Sequence, residues 1–367
     1  MEYYIGVGTS DDVSKCVKEA TSKLRNPNLI LFFSPVKHFQ EYAEQLHNSF
    51  PNSITMGATT IASLTRQGAE KKNLMVVGFE DGLICSANIL EDVDRYPVKY
   101  VERVEKCVEE VKECRDTICL EFTTAFLCAE ESVLSALNSV LYKTGIPVFG
   151  GTAGNLADGL TTTLVALNGV VKENGCVFAI IHNKSGAIKI YRENIYYPRT
   201  GNVLTVTKAD SWNRRVMEFN GQPATKVYAR ELGISEDQID KYRDSNPIGR
   251  IVGNEMYVTA NSEKRGTDMI FHSRIYKNSK VVVLEPDDYR KIIKQTKEKI
   301  KNESPNPKFA IVCHCLARTI WFEKEGYLNQ YARELAEALG DYIGFSGYGE
   351  QKGDHHFNQT MTTAVFE

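Results

Sequence analysis

The chain has 367 residues, of which 25% are charged and 42% hydrophobic, and its formal net charge is −3 at pH 7. This length predicts two or three domains, and the small net charge argues against a nucleic acid or another polyanion as partner. Apolar runs such as residues 29–33 are far too short to cross a membrane, and residues 1–4 lack the features of a signal peptide. The composition therefore predicts a cytoplasmic globular protein without membrane insertion.

The predicted elements recur in one order along the chain. After a first strand, each pass contains a helix with one apolar face, a short apolar strand, a second helix, a strand entering a glycine-containing turn, and a further strand. The passes cover residues 11–79, 101–167 and 286–366. Each contains one buried strand, at residues 29–33, 118–122 and 309–313. The second pass ends in a strand at residues 161–167, and the second helix of the third pass lies at residues 328–339. This order predicts internal repeats.

A β-rich segment at residues 168–283 interrupts the repeats. Asn168 and Gly169 form a hairpin signal, and strands are predicted on both sides of a helix at residues 224–232. We therefore predict an α/β fold of two lobes, in which mixed β-sheets are flanked by helices. The predicted domains are residues 1–217, which end in a β-rich part, and residues 218–367.

Three glycines within five residues, Gly150, Gly151 and Gly154, follow the strand of the second pass. Related turns lie at Gly57 and Gly344. The sequence around Gly150 has neither the lysine of a phosphate-binding loop nor the helix that a dinucleotide fingerprint opens. Two interpretations stay open: the glycines let two chain segments cross closely, or their N–H groups bind a small polar ligand, with the hydroxyl of Thr152 beside them.

The nine cysteines are an odd, scattered set, which predicts reduced thiols. Cys313 and Cys315 follow a strand on either side of His314, so a cysteine nucleophile is one hypothesis. A zinc site is not predicted, because the chain has no C-x-x-C pair, although His355 and His356 are adjacent. Small buried thiols are the simpler interpretation.

Polar residues near the third glycine turn have the character of a ligand site. Arg318 offers a bidentate partner for a carboxylate, or a structural ion pair with Glu350. Tyr348 offers an aromatic wall, and Asn358 offers an amide. If the ligand is an amino acid, we expect Arg318 to bind its carboxylate and Glu350 its amine.

In their order along the chain, several motifs resemble the N-terminal and C-terminal parts of the FIST domain. They are residues 57–60, 74–79, 146–154, 220–228, 315–318, 344–350 and 357–360. The resemblance extends from about residue 27 to the end. The chain departs from the family at the first turn, where Ala58 and Ala62 replace the usual Cys and Gly, so the Gly57 turn is expected to be structural.

The resemblance implies an intracellular sensory module that binds a small ligand, such as an amino acid or another small carboxylate. Because no residues remain for an output module, we expect it to act on a separate signalling protein, such as a histidine kinase or a chemotaxis-type receptor. No catalytic residue, metal or cofactor is predicted. The predicted ligand-binding residues are Gly150, Gly151, Thr152, Arg318, Tyr348, Glu350 and Asn358. The competing hypotheses are a hydrolase or transferase that uses Cys313 or Cys315, and a protein-interaction scaffold.

Overall fold

The computed structural model describes residues 1–155 and 162–367. It contains 27% helix and 40% strand in several mixed sheets, which confirms the predicted α/β fold class. The chain forms two compact units. The large unit contains Met1–Arg192, Lys297–Asp354 and Met361–Glu367, and the small unit contains Glu193–Thr296 and His355–Thr360. The predicted domain boundary at residues 217/218 stays a prediction.

The helices of the described chain are α1 Val13–Thr21, α2 Phe39–Ser49, α3 Val101–Val111, α4 Glu130–Leu141, α5 Ala224–Leu232, α6 Ile239–Tyr242, α7 Tyr289–Glu303, α8 Leu316–Lys324 and α9 Leu328–Leu339. The start of α1 follows from local chemistry. Asp12 accepts a hydrogen bond of 2.7 Å from the Lys15 N–H and so caps α1.

The strands in the first half of the chain are β1 Glu2–Gly8, β2 Leu29–Ser34, β3 Ile54–Thr59, β4 Ser63–Thr65, β5 Gly68–Glu70, β6 Leu74–Asp81, β7 Leu83–Glu91, β8 Thr117–Thr123, β9 Val148–Thr152, β10 Val165–Leu167, β11 Val170–Lys172 and β12 Gly175–Asn183. The predicted strand at residues 161–167 corresponds to β10, and residue 161 lies outside the described residues.

The later strands are β13 Ile188–Asn194, β14 Tyr196–Pro198, β15 Leu204–Asp210, β16 Arg215–Phe219, β17 Gln222–Pro223, β18 Ile248–Val252, β19 Glu255–Thr259, β20 Asn261–Arg265, β21 Asp268–Phe271, β22 Lys280–Pro286, β23 Phe309–Cys315, β24 Tyr342–Gly347, β25 Gly349–Lys352, β26 His355–Phe357 and β27 Thr360–Phe366. The sequence predicted β23 but missed α8, which follows it without a connecting loop.

Three sheets of the large unit each contain one parallel strand pair. Their orders are β1-β6-β2-β3-β10-β11, β25-β9-β8-β12-β7 and β13-β27-β23-β24-β4-β5, and the parallel pairs are β2–β3, β8–β9 and β23–β24. One face of each sheet contributes to a common apolar core. Because helices also cover the outer faces of the first two sheets, the central strands β2 and β8 are buried throughout.

Three phenylalanines from the three sheets meet in this core. The ring centroid of Phe33 lies 5.3 Å from that of Phe122 and 5.0 Å from that of Phe345. The Phe122 and Phe345 centroids are 5.1 Å apart. Residues far apart in the chain therefore join the repeats around one aromatic cluster.

The small unit contains a nine-stranded sheet of order β19-β18-β22-β15-β16-β21-β20, with β14 paired to β22 and β17 paired to β16. These pairs are antiparallel, for example β16 with β21. Helix α5, at the position predicted from the sequence, buries Val227 and Tyr228 in the core of this unit.

Candidate ligand-binding site

A cleft of about 710 Å³ lies at the carboxyl ends of β2 and β3 in the large unit. Pro35 follows β2, and Thr60 and Ile61 follow β3. The loop between β1 and α1, at residues 8–11, also lines the cleft. The carboxyl ends of parallel strands are where open α/β sheets bind ligands, and pockets for small molecules have volumes of roughly 300–1,000 Å³. Position and size therefore both fit a small-molecule site.

The side chains around this cleft carry more positive than negative charge. Lys37, Lys71 and Lys72 line it, together with His38, and the acidic side chain among the lining residues is Asp11. Lys71 forms an ion pair with Glu323, so Lys37 and Lys72 are the lysines best placed to act on a ligand. A concave surface with an excess of one charge concentrates ligands of the opposite charge. The cleft therefore favours a small anion.

Thr9 and Ser10, in the β1–α1 loop that lines the cleft, hold a carboxylate with their backbone amides. The N–H groups of Thr9 and Ser10 donate to Oε2 of Glu19 at 2.9 and 3.1 Å, and the Thr9 hydroxyl donates to the same oxygen at 3.3 Å. These bonds, above all the one from the Thr9 N–H, hold the pKa of Glu19 below its ordinary value. The loop is therefore built to bind a carboxylate.

Two buried side chains of α1 and α2 line the cleft from the helix side. Burial raises the pKa of the Cys16 thiol, and the same cause raises the pKa of the Tyr42 hydroxyl. Both groups therefore stay protonated at neutral pH and contribute neutral polar groups rather than charge.

His38 precedes α2 in a left-handed backbone conformation, with φ of +61°. Residues other than glycine adopt this conformation at a cost of about 1 kcal/mol or more, and such strain clusters at functional sites. Its ring Nδ1 lies 3.3 Å from a carboxylate oxygen of Glu41. The strained position thus places an imidazole at the edge of the cleft.

Gly150 and Gly151 lie in β9, between β8 and β25. A Cβ atom on Gly150 would lie 2.0 Å from the carbonyl oxygen of Glu121, and one on Gly151 would lie 2.7 Å from the Phe345 ring. Their backbones are paired on both sides, and their lack of a side chain permits close packing. These distances support the interpretation that the glycines let segments cross, and their predicted role in ligand binding stays a prediction.

Thr152 ends β9 within a buried polar group. Its Oγ1 accepts a hydrogen bond of 2.9 Å from Gln351 and lies 3.5 Å from a carboxylate oxygen of Glu130. Nearby on β8, burial raises the pKa of Glu121 to about 8, although Thr123 donates to it at 2.6 Å. This group of side chains is internal to the fold, and Thr152 is fully buried in it.

Arg318 lies in the first turn of α8 and is fully buried. Its guanidinium carbon is 5.2 Å from the centre of the Phe322 ring and 5.6 Å from that of Tyr331, whose hydroxyl accepts from Nη2 at 3.5 Å. His314 is buried beside it, and burial followed by the charge of Arg318 lowers the pKa of the imidazole well below 6.5. Arg318 is therefore packed among aromatic rings, and its predicted carboxylate contact stays a prediction.

The two cysteines of the enzyme hypothesis are both buried. Burial, followed by the charge of Glu350, raises the pKa of Cys313 well above its ordinary value. Because the thiolate is the reactive form, this environment disfavours Cys313 as a nucleophile. Among the described residues, no group of three or more His, Cys, Asp or Glu side chains is arranged to hold a metal ion.

The remaining predicted residues lie in different environments. The Tyr348 hydroxyl donates to the carbonyl oxygen of Asn155, a residue that lines the cleft, at 2.6 Å. Glu350 is fully buried on β25, opposite Gly151. Asn358 belongs to the small unit, where its Oδ1 accepts from the Ala260 N–H at 3.2 Å. Of these three, Tyr348 is connected to the cleft by a hydrogen bond.

Sequence reasoning missed the residues that line the cleft. Two signals were available. Lys37 and His38 lie between a buried strand and the helix after it, and Lys71 and Lys72 lie one residue before another strand. Neither pair forms a known motif, and the sequence does not show that the two pairs line one cavity.

The fold is that of a mixed α/β protein with a cleft at the carboxyl ends of β2 and β3. The chain belongs to the FIST family: the FIST N domain matches residues 28–222, and the FIST C domain matches residues 224–352. FIST domains are associated with sensing in signal transduction, and the family is sensory rather than catalytic. A search of curated proteins found no match. None of the described helices combines the length and apolarity required to cross a membrane.

Proposed function

We propose that this chain is a cytoplasmic sensory module that binds a small carboxylate, such as an amino acid, in the cleft at the carboxyl ends of β2 and β3. The observation that carries the proposal is the cleft itself, because it combines lysine side chains with the donor groups of the β1–α1 loop. Family membership supports the sensory role. The output then passes to a separate protein, such as a histidine kinase or a chemotaxis-type receptor.

The charged side chains that line the cleft match the two charged groups of an amino acid. Lys37 and Lys72 attract the carboxylate, and Asp11 attracts the ammonium group. Asp11 therefore distinguishes the two ligand classes. We expect Asp11→Asn to weaken the binding of amino acids, whereas acids that lack an amine keep their affinity or bind more tightly.

A thermal-shift screen of amino acids and dicarboxylic acids tests the proposal. A ligand at a hundred times its dissociation constant stabilises the folded state by about 2.7 kcal/mol, which raises the melting temperature measurably. Calorimetric titration of each hit then compares Lys37→Ala and Lys72→Ala with Lys143→Ala, an exposed lysine that does not line the cleft.

We expect the two cleft variants to lose about tenfold in affinity, since one charge-assisted contact contributes roughly 1.5–3 kcal/mol. Lys143→Ala should bind like the unchanged chain. A screen in which no acid raises the melting temperature would contradict the proposal, as would a hit whose affinity falls equally in all three variants.

A further inference from the structure

Glu19 binds the β1–α1 loop in the way that a bound anion would. One oxygen of its carboxylate accepts from two consecutive N–H groups, of Thr9 and Ser10, and from the Thr9 hydroxyl. Consecutive backbone N–H groups in a loop form a concave anion-binding site. In this structure the anion is a side chain of the protein itself.

The two amides are separate from the donors that α1 needs for its own start. Asp12 caps α1 by accepting from the Lys15 N–H, whereas Thr9 and Ser10 precede the cap and line the cleft. Glu19 is only partly buried, so its carboxylate is able to exchange for water or for another acid. The two residues that hold Glu19 thus line a cavity large enough for a ligand.

A second glutamate of the large unit shows the same bonding without a cleft. Glu80 accepts from the N–H groups of Arg25 and Asn26 at 2.7 and 2.9 Å. None of these three residues is among those that line the cleft. Glu80 therefore serves as a structural clamp, and the difference between the two glutamates is the cavity beside Thr9 and Ser10.

We infer that the N–H groups of Thr9 and Ser10 are the carboxylate subsite of the cleft, and that Glu19 occupies this subsite until a ligand carboxylate replaces it. The inference rests on the proposed function, because it names the subsite of the same ligand. Replacement exchanges one carboxylate for another, so the two amides keep an acceptor in both states. Competition from Glu19 lowers the affinity for the ligand and reserves the subsite for acids.

Removing the competing carboxylate tests this inference. Glu19→Ala vacates the subsite and suits the interior of α1, because alanine is the best helix former. Isothermal titration with succinate and with L-glutamate should show about tenfold tighter binding to this variant than to the unchanged chain. Glu19→Gln keeps a weaker, neutral acceptor in place and should give a smaller gain. It also provides the test if Glu19→Ala does not fold.

Two control variants distinguish competition between Glu19 and the ligand from effects of charge or of stability. Asp11→Ala removes a negative charge that lines the cleft without vacating the subsite, so with succinate it measures the effect of charge alone. Glu80→Ala removes the equivalent structural clamp and should lower the melting temperature without changing either affinity. Hydrogen exchange of peptides that contain Thr9 and Ser10 should be faster in Glu19→Ala and slow again when succinate is added.

The outcomes distinguish this inference from the proposed function. If a probe binds the unchanged chain but Glu19→Ala is no tighter, or gains no more than Asp11→Ala does with succinate, the inference is wrong and the proposed function stands. If neither probe binds any variant, both are contradicted. If a probe binds Glu19→Ala alone, both are supported, because the subsite was then closed by Glu19.

Discussion

The carboxyl ends of β2–β3 and of β23–β24 are equivalent places in two repeats, but only the first lies beside the cleft. After β2 ends at Ser34, residues 35–38 lead to α2, and Pro35, Lys37 and His38 line the cavity. After β23 ends at Cys315, α8 begins at the next residue. The edge at the carboxyl ends of β2 and β3, called the open edge below, therefore has room for a ligand. At the edge formed by the carboxyl ends of β23 and β24, called the closed edge, a helix takes the place of a loop.

Polar groups at the closed edge form hydrogen bonds with one another. The Thr319 hydroxyl lies 2.9 Å from Nδ1 of His314 and 2.6 Å from the hydroxyl of Ser346. All three side chains are buried, as is Arg318 beside them. Polar residues at the closed edge therefore stabilise the fold, whereas at the open edge Lys37 and His38 line the cleft.

The largest expected effect comes from breaking the closed edge at Arg318. Arg318→Ala removes a buried guanidinium and its contacts with Phe322 and Tyr331, so we expect unfolding to become easier by about 3 kcal/mol. Denaturant melts measure this loss. If stability is unchanged but the response to amino acids is lost, Arg318 is a ligand residue, as the sequence predicted, and the comparison fails.

Gly150→Ala extends the comparison to the second parallel pair, β8–β9. The added Cβ would lie 2.0 Å from the carbonyl oxygen of Glu121, and forcing atoms into a packed core costs about 2 kcal/mol. Gly201→Ala is the matched control, because nothing lies within 4 Å of its added Cβ. Equal stability of the two variants in denaturant melts would show that Gly150 is not held by packing.

The pH dependence of stability tests the burial of His314. The unfolded chain protonates this residue near pH 6.5, whereas the folded imidazole stays neutral because its pKa is well below that value. Below pH 6.5 the unfolded state therefore binds more protons than the folded state. Stability then falls as the pH is lowered, by up to about 1.4 kcal/mol per pH unit. His314→Gln should remove this part of the fall between pH 7 and pH 5.

The smallest expected effect on stability is that of Lys37→Ala at the open edge. Lys37 is exposed, and substitutions at exposed sites usually change stability by less than about 0.5 kcal/mol. Lys37→Ala would then lose ligand affinity but keep its stability, whereas Arg318→Ala would lose stability. A melting temperature that falls as far as that of Arg318→Ala would remove the distinction between the two edges.

Much of the fold followed from short-range patterns. Residues 29–33, 118–122 and 309–313 are apolar and bounded by helix or turn signals, so their strands were predictable. Helix α8 was not predicted, because Arg318 and Thr319 are polar residues that this helix buries. Their burial depends on partners such as Tyr331 and Ser346, which sequence periodicity does not reveal.

By itself, the sequence determined the α/β class, the repeated order of elements and the resemblance to the FIST family, because these depend on local periodicity and ordered motifs. Only the tertiary structure decided which edge is open. Lys37 and Lys72 are far apart in sequence but line one cleft, and Glu19 reaches Thr9 because α1 folds back beside β1. Such contacts depend on how whole elements pack against one another, so hydrophobic periodicity and short motifs do not encode them.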